Sequence, residues 1–123
     1  MIVAVASHGQ ELDSPVHAHF GRAPFFVTVN VETMEYEAIP NPAASSTTGA
    51  GAQAAQLLVR NNVQAVAAGN VGPHATSVLQ KAGIRVYVAR EGTVREAVEA
   101  LVHGQLEQQA EATMTGDSRK RRT

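Results

Sequence analysis

Residues 7–26 read SHGQELDSPVHAHFGRAPFF; they follow MIVAVA at 1–6 and run into FFVTV at 25–29. Both flanking runs are short, apolar and rich in β-branched or aromatic residues, which reads as strand. The stretch between them has no apolar period. A loop of such length inside a compact domain is usually functional or disordered. This one holds His8, His17 and His19, three of the chain's five histidines, with Glu11, Asp13, and Arg22 beside Gly21. The remainder of the chain reads as a scaffold that presents this loop.

Working outward, Ile2–Ala6 is apolar at every position, as in a strand covered on both faces. Phe25–Val31 and Met34–Ile39 are separated by too few residues for a crossover, so they form a hairpin. Pro40-Asn41-Pro42 ends that section, and AASSTTGAGA follows. A helix is expected from about Gly49 to Arg60, with Thr47 or Thr48 as N-cap and Ala52, Ala55, Leu58 and Val59 on one stripe. Val63–Ala68 is a fourth strand. Gly69-Asn70-Val71-Gly72-Pro73 is a sharp turn into a helix, Pro73–Ala82, that stops at Gly83. Ile84–Ala89 is a fifth strand. Thr93 and Glu96 form a capping box for a last helix whose stripe is Val94, Ala97, Val98, Leu101 and Val102. From Glu107 onward there is little to bury. The expected organisation is one domain over 1–106 and a disordered basic tail over 107–123 ending in RKRR.

This order specifies an α/β fold: a five-stranded mixed sheet in the order 3-2-1-4-5, strand 2 antiparallel, with helices on both faces. Strands 1 and 4 are parallel neighbours whose connections leave in opposite senses. Ligands favour the crevice beyond the carboxyl ends of such strands. The topology brings His8, His17, His19 and Arg22 towards Asn70 and His74.

Composition narrows the chemistry. The 123 residues are 44% apolar and 17% charged, with a net charge of −1 and no cysteine. Disulfides, thiolate zinc sites and cysteine-ligated iron–sulfur centres are excluded. No apolar run approaches the ~20 residues that span a bilayer. MIVAVAS lacks the basic start of a signal peptide, so the cytoplasm is the expected compartment and a membrane is not an expected partner.

His17-Ala18-His19 has i, i+2 spacing, which in an extended segment points both imidazoles the same way. Neutral imidazole ligates iron, zinc or copper. Two histidines are too few for a closed zinc site. They suit an open site, or the capture of a prebuilt cluster that must later leave. The alternative is a pair of solvated loop residues. Arg22 can attract an anionic cargo or hold the loop by bonding backbone carbonyls. Asn70, Gly72 and His74 open a helix whose free N–H groups form an anion site, and Gly72 is also expected to be a glycine that a tight turn requires. Gly49 starts a second such helix. There is no GK[ST], no G-x-S-x-G, and no carboxylate on strands 1 or 4, so hydrolase and nuclease chemistry lack support and no catalytic residue is assigned.

The chain resembles the dinitrogenase iron–molybdenum cofactor biosynthesis family, which includes the carriers NifX and NafY and the C-terminal domain of NifB. The resemblance covers roughly residues 1–106. It rests on MIVAVAS, LDSPVHAHFGRAPFF, IPNP, GAGAQAA, AAGNVGPHA, KAGIRVY and VREAVEAL followed by GQL. It implies a ribonuclease-H-like three-layer sandwich and the binding of an iron–sulfur or iron–molybdenum cluster, as in nitrogen fixation, without catalysis. The family's HFG is present as His19-Phe20-Gly21, so a ligand role carries to His19, with His17 and His74 auxiliary and Arg22 electrostatic. Partners would be cluster donors and acceptors rather than nucleic acid, and the chain a monomer or weak homodimer. The competing expectation is an anion- or nucleotide-binding regulatory module that uses the helix starts at Gly49 and Gly72.

Overall fold

A computed structural model describes residues 1–109. Six strands form one sheet: β1 (Ile2–Ser7), β2 (Phe25–Asn30), β3 (Tyr36–Pro40), β4 (Ala65–Ala68), β5 (Arg85–Val88) and β6 (Glu107–Gln108), in the order β3-β2-β1-β4-β5-β6. β1 runs antiparallel to β2, with Val5 opposite Val27, and parallel to β4, with Val5 opposite Ala67. The expected core order, with β1 central and the hairpin on one side, is therefore present.

Among the described residues three α-helices complete the fold: α1 (Ala50–Arg60), α2 (Pro73–Lys81) and α3 (Val94–Val102). Alternation along β1 sends Ala4 and Ala6 to one face and Val3 and Val5 to the other. Ala4 and Ala6 pack with Ala54, Ala55 and Leu58 of α1 and Ala75 and Leu79 of α2. Val3 and Val5 pack with Val94, Ala97, Val98 and Leu101 of α3. The alanine-rich side lets α1 and α2 approach closely, and the larger valines fill the space under the lone α3. Phe20 plugs the first core at 1% exposure, against Phe26 at a ring separation of 5.0 Å.

The differences from the sequence expectation are local. A sixth strand exists where the tail was expected to begin. Glu107 pairs with Val88 and Gln108 with Tyr87, antiparallel, although neither side chain is apolar. Gln109 then donates through Nε2 to the Val71 carbonyl and to Thr76 Oγ1, both at 3.0 Å. Backbone pairing and one amide hold this segment, and neither leaves an apolar pattern to read. The rest of the expected tail, 110–123 with RKRR, lies outside the described residues.

β3 begins at Tyr36 rather than Met34, because Met34 takes φ +64° in the hairpin turn. The N-cap of α1 is Gly49, not Thr47 or Thr48; its φ of +71° bends the chain into the helix, a conformation cheap only for glycine. Val102 is 52% exposed. It lies about 80° round the helix from Val94, on the edge of the stripe and in its last turn. The capping box is formed as read, with Glu96 N donating to Thr93 Oγ1 at 3.1 Å and Thr93 N to Glu96 Oε1 at 2.9 Å. Among the described residues no helix is long and apolar enough to cross a membrane.

Candidate functional site

The histidine loop is pinned along most of its length by peptide hydrogen bonds. Ala6 accepts from His17 N at 2.8 Å, and Pro15 accepts from His8 N at 3.0 Å. Val16 N donates to Gly92 O at 2.9 Å. Val94 N and Arg95 N, in the first turn of α3, donate to Ser14 O and Leu12 O at 2.9 and 2.8 Å. The loop thereby satisfies amides that a helix start leaves unpaired. Leu12 and Val16 are buried in the α3-side core. At the rim, Tyr36 donates to Glu11 Oε1 at 2.5 Å, which raises the Tyr36 pKa, and Arg95 pairs with Asp13 at 3.3 Å.

The far limb of the loop leans on the β4–α2 turn, as the switch-point topology anticipates. Phe20 N donates to the Asn70 carbonyl at 3.0 Å. A Cβ on Gly69 would lie 2.8 Å from the Ala18 carbonyl oxygen, and one on Gly21 would lie 2.8 Å from Gly51 N. Glycine at 21 and 69 is thus set by close backbone approach. Gly72 is different: its φ is −68°, and a Cβ there would meet nothing within 4 Å. The expectation that the turn demands glycine at 72 is corrected, since any residue fits that backbone.

Three imidazoles gather on the exposed side. The His8 and His17 ring centroids are 4.4 Å apart, and those of His17 and His19 are 6.2 Å apart. His17 Nδ1 lies 3.0 Å from both the peptide nitrogen and the carbonyl oxygen of His19. With its proton on Nε2, the ring accepts from the His19 N–H. With the proton on Nδ1, it donates to the His19 carbonyl and frees the Nε2 lone pair for a metal. A backbone partner of this kind fixes the orientation of a ligating histidine. Partial burial, and then the charge of nearby His8, lower the His17 pKa below 6.5, opposed in part by its bond to the His19 backbone. His17 is therefore neutral near pH 7, the form that ligates. Among the described residues no three of His, Cys, Asp and Glu converge on a single point as a closed metal site.

The other predicted site residues separate. Arg22 donates through Nη1 to Ala44 O at 3.0 Å and Ser46 O at 2.6 Å, which is the loop-holding role. Gly72 and His74 line a cleft of about 680 Å³ with Gly49, Ala50, Gly51 and Ala52. None of the loop histidines lines it. The cleft brings the starts of α1 and α2 together, and neither N-cap residue caps its helix through a side chain. Asn70 meets the histidine loop through its carbonyl.

Sequence reading did not single out Asn41. It is 5% exposed, donates through Nδ2 to Ala23 O at 2.8 Å and Gly21 O at 3.3 Å, and accepts from Ala43 N at 3.2 Å. It ties the IPNP segment to the HFGRA segment. Its signal was an asparagine between two prolines, whose fixed backbones favour a side-chain-capped turn.

Comparisons with known proteins agree on the lineage. The family model described as dinitrogenase iron-molybdenum cofactor matches residues 1–104. The apo form of the orange protein from Desulfovibrio gigas superposes with a TM-score of 0.86 at 39% identity, over 89% of this chain and 93% of that one. A candidate NifB protein from Thermotoga, of the DUF35 family, gives a TM-score of 0.79 at 36% identity, over 93% of this chain and 96% of that one. An uncharacterized protein of Methanocaldococcus jannaschii is 36% identical over 92 residues, 72% of this chain and 78% of that one. The chain belongs to the dinitrogenase iron–molybdenum cofactor family.

Proposed function

We propose that the chain is a non-catalytic carrier of an iron–sulfur or iron–molybdenum type cluster, receiving it from one protein and yielding it to another. The observation that carries this reading is His17: one ring nitrogen is held by the His19 backbone, and partial burial keeps the ring neutral. The other nitrogen is left to a ligand at an exposed loop beyond the carboxyl ends of β1 and β4. His19, exposed beside it, supplies a second imidazole. A few imidazole ligands hold a cluster less firmly than four cysteines would, which suits cargo that must leave. Family membership supports the reading, as does likeness to the apo form of the orange protein. We read the frame as ribonuclease-H-like, a mixed sheet between helical layers. The test is anaerobic loading with a synthetic thiolate-capped four-iron cluster, then gel filtration and iron analysis. Wild type should retain iron and the His17→Ala/His19→Ala double variant should not; equal retention by both would refute the reading.

One observation favours a second reading, an anion-binding module without metal. The starts of α1 and α2, without side-chain caps, border one cleft, where the positive ends of two helix dipoles favour an anion. Binding of inorganic phosphate that survives chelation and is lost on filling the cleft would favour this reading.

A further inference from the structure

Ser7 and Val16 face one another across an antiparallel bridge. The backbone hydrogen bonds from His8 N to Pro15 O and from His17 N to Ala6 O, at 3.0 and 2.8 Å, flank it. The end of β1 thus continues as a short ladder with the returning limb of the loop. In such a ladder His8 stands opposite Pro15, and His17 lies two residues further along on the same face. Diagonal neighbours on one face come within reach of aromatic rings. The observed ring separation of 4.4 Å, at an interplanar angle of 40°, is that diagonal contact. The tip closing the ladder is tight: Ser7 Oγ donates to Gly9 O at 2.8 Å, and a Cβ on Gly9 would lie 2.6 Å from Ser14 Oγ. The pairing of the two rings is therefore set by backbone register rather than by burial, and His8 itself is exposed.

We propose that His8 is a further ligand for the cargo, presented by the ladder beside His17 so that the two imidazoles engage one metal cluster side by side. This rests on the carrier reading. His17 contributes Nε2, because its Nδ1 is held at the His19 backbone. Capture is a ligand exchange: a ring-nitrogen lone pair forms the bond to iron, and the displaced thiolate leaves with its own electron pair. No oxidant or reductant is consumed. Two attachment points set by register spare the loop an ordering cost on binding.

The full chain is loaded anaerobically with the synthetic thiolate-capped four-iron cluster and gel-filtered, and retained iron is measured at equal protein concentration. His8→Ala and His8→Phe are compared with wild type. Phenylalanine keeps an aromatic ring against His17 and removes the donor nitrogens. Both variants should lose retention at least tenfold, while His103→Ala, at the distant end of α3, should not. Full retention by both His8 variants, with loss in His17→Ala, would overturn the role of His8 and leave the carrier reading standing. Loss in His8→Ala with retention in His8→Phe would also overturn it, since His8 would then serve only to pack. No retention by wild type would remove the carrier reading and this inference with it.

Discussion

Gly69 and Ala18 are in backbone contact: a methyl group on Gly69 would sit 2.8 Å from the Ala18 carbonyl oxygen and 3.0 Å from its Cα. This contact seats the histidine loop on the β4–α2 turn. Gly69→Ala should cost about 1–3 kcal/mol, as overpacking against a rigid neighbour does. It should also shift the amide resonances of Ala18 and His19. Gly72→Ser is the matched control. Open space and an extended backbone at 72 predict a change within about 0.5 kcal/mol, because serine caps a helix about as well as glycine. Denaturant midpoints measure both. Equal effects at 69 and 72 would contradict the seating contact.

The lowered pKa of His17 gives stability a pH dependence of known sign. Between that lowered value and 6.5 the folded chain binds fewer protons at His17 than the unfolded chain. The contribution is fully present above pH 6.5 and is lost as pH falls through the folded value. Melting temperature should therefore decline on acidification through this window, and less so in His17→Ala. Removing His8 removes the second cause of the shift, so His8→Ala should move the His17 titration, followed by NMR, back towards 6.5.

The paired part of the chain extends past Leu106 at least to Gln109. A chain ending at 109 keeps every contact described for β6. A chain ending at 106 loses the β5–β6 pairing and leaves buried Thr76 without the Gln109 amide. The shorter chain should be less stable by about 1–2 kcal/mol. It should also lose hydrogen-exchange protection around Tyr87 and Val88. Equal stability of the two truncations would make β6 incidental.

Much of this was legible in the sequence because it is carried by local chemistry. Unbroken apolar runs marked β1 and β4 as strands covered on both faces. The short gap after Asn30 fixed the hairpin, and Thr93 with Glu96 marked the start of α3. From these the order around β1, and the meeting of the His8–Arg22 loop with the Asn70 turn, followed. The unread parts depend on tertiary contact. β6 is two polar residues held by another strand's backbone. The His8–His17 pairing arises from a bridge between Ser7 and Val16 that no period announces. Arg22 presented two roles with the same residue, and only the positions of Ala44 O and Ser46 O show that the latch bonds are made. Gly69, Gly21 and Gly72 look alike in sequence, yet two of them are set by close contacts and the third is not.

The most direct measurement is a loading and handover experiment. The wild-type chain, loaded with the synthetic four-iron cluster and freed of excess, is mixed anaerobically with an apo-ferredoxin offering four cysteines. Thiolates are the better ligands for iron in such clusters. A carrier should retain about one cluster per chain before mixing, pass it to the ferredoxin faster than it is lost to a chelator, and fail to load as His17→Ala/His19→Ala. A folded wild-type chain that retains no cluster, or retains one it never yields to cysteine ligands, would contradict the carrier reading.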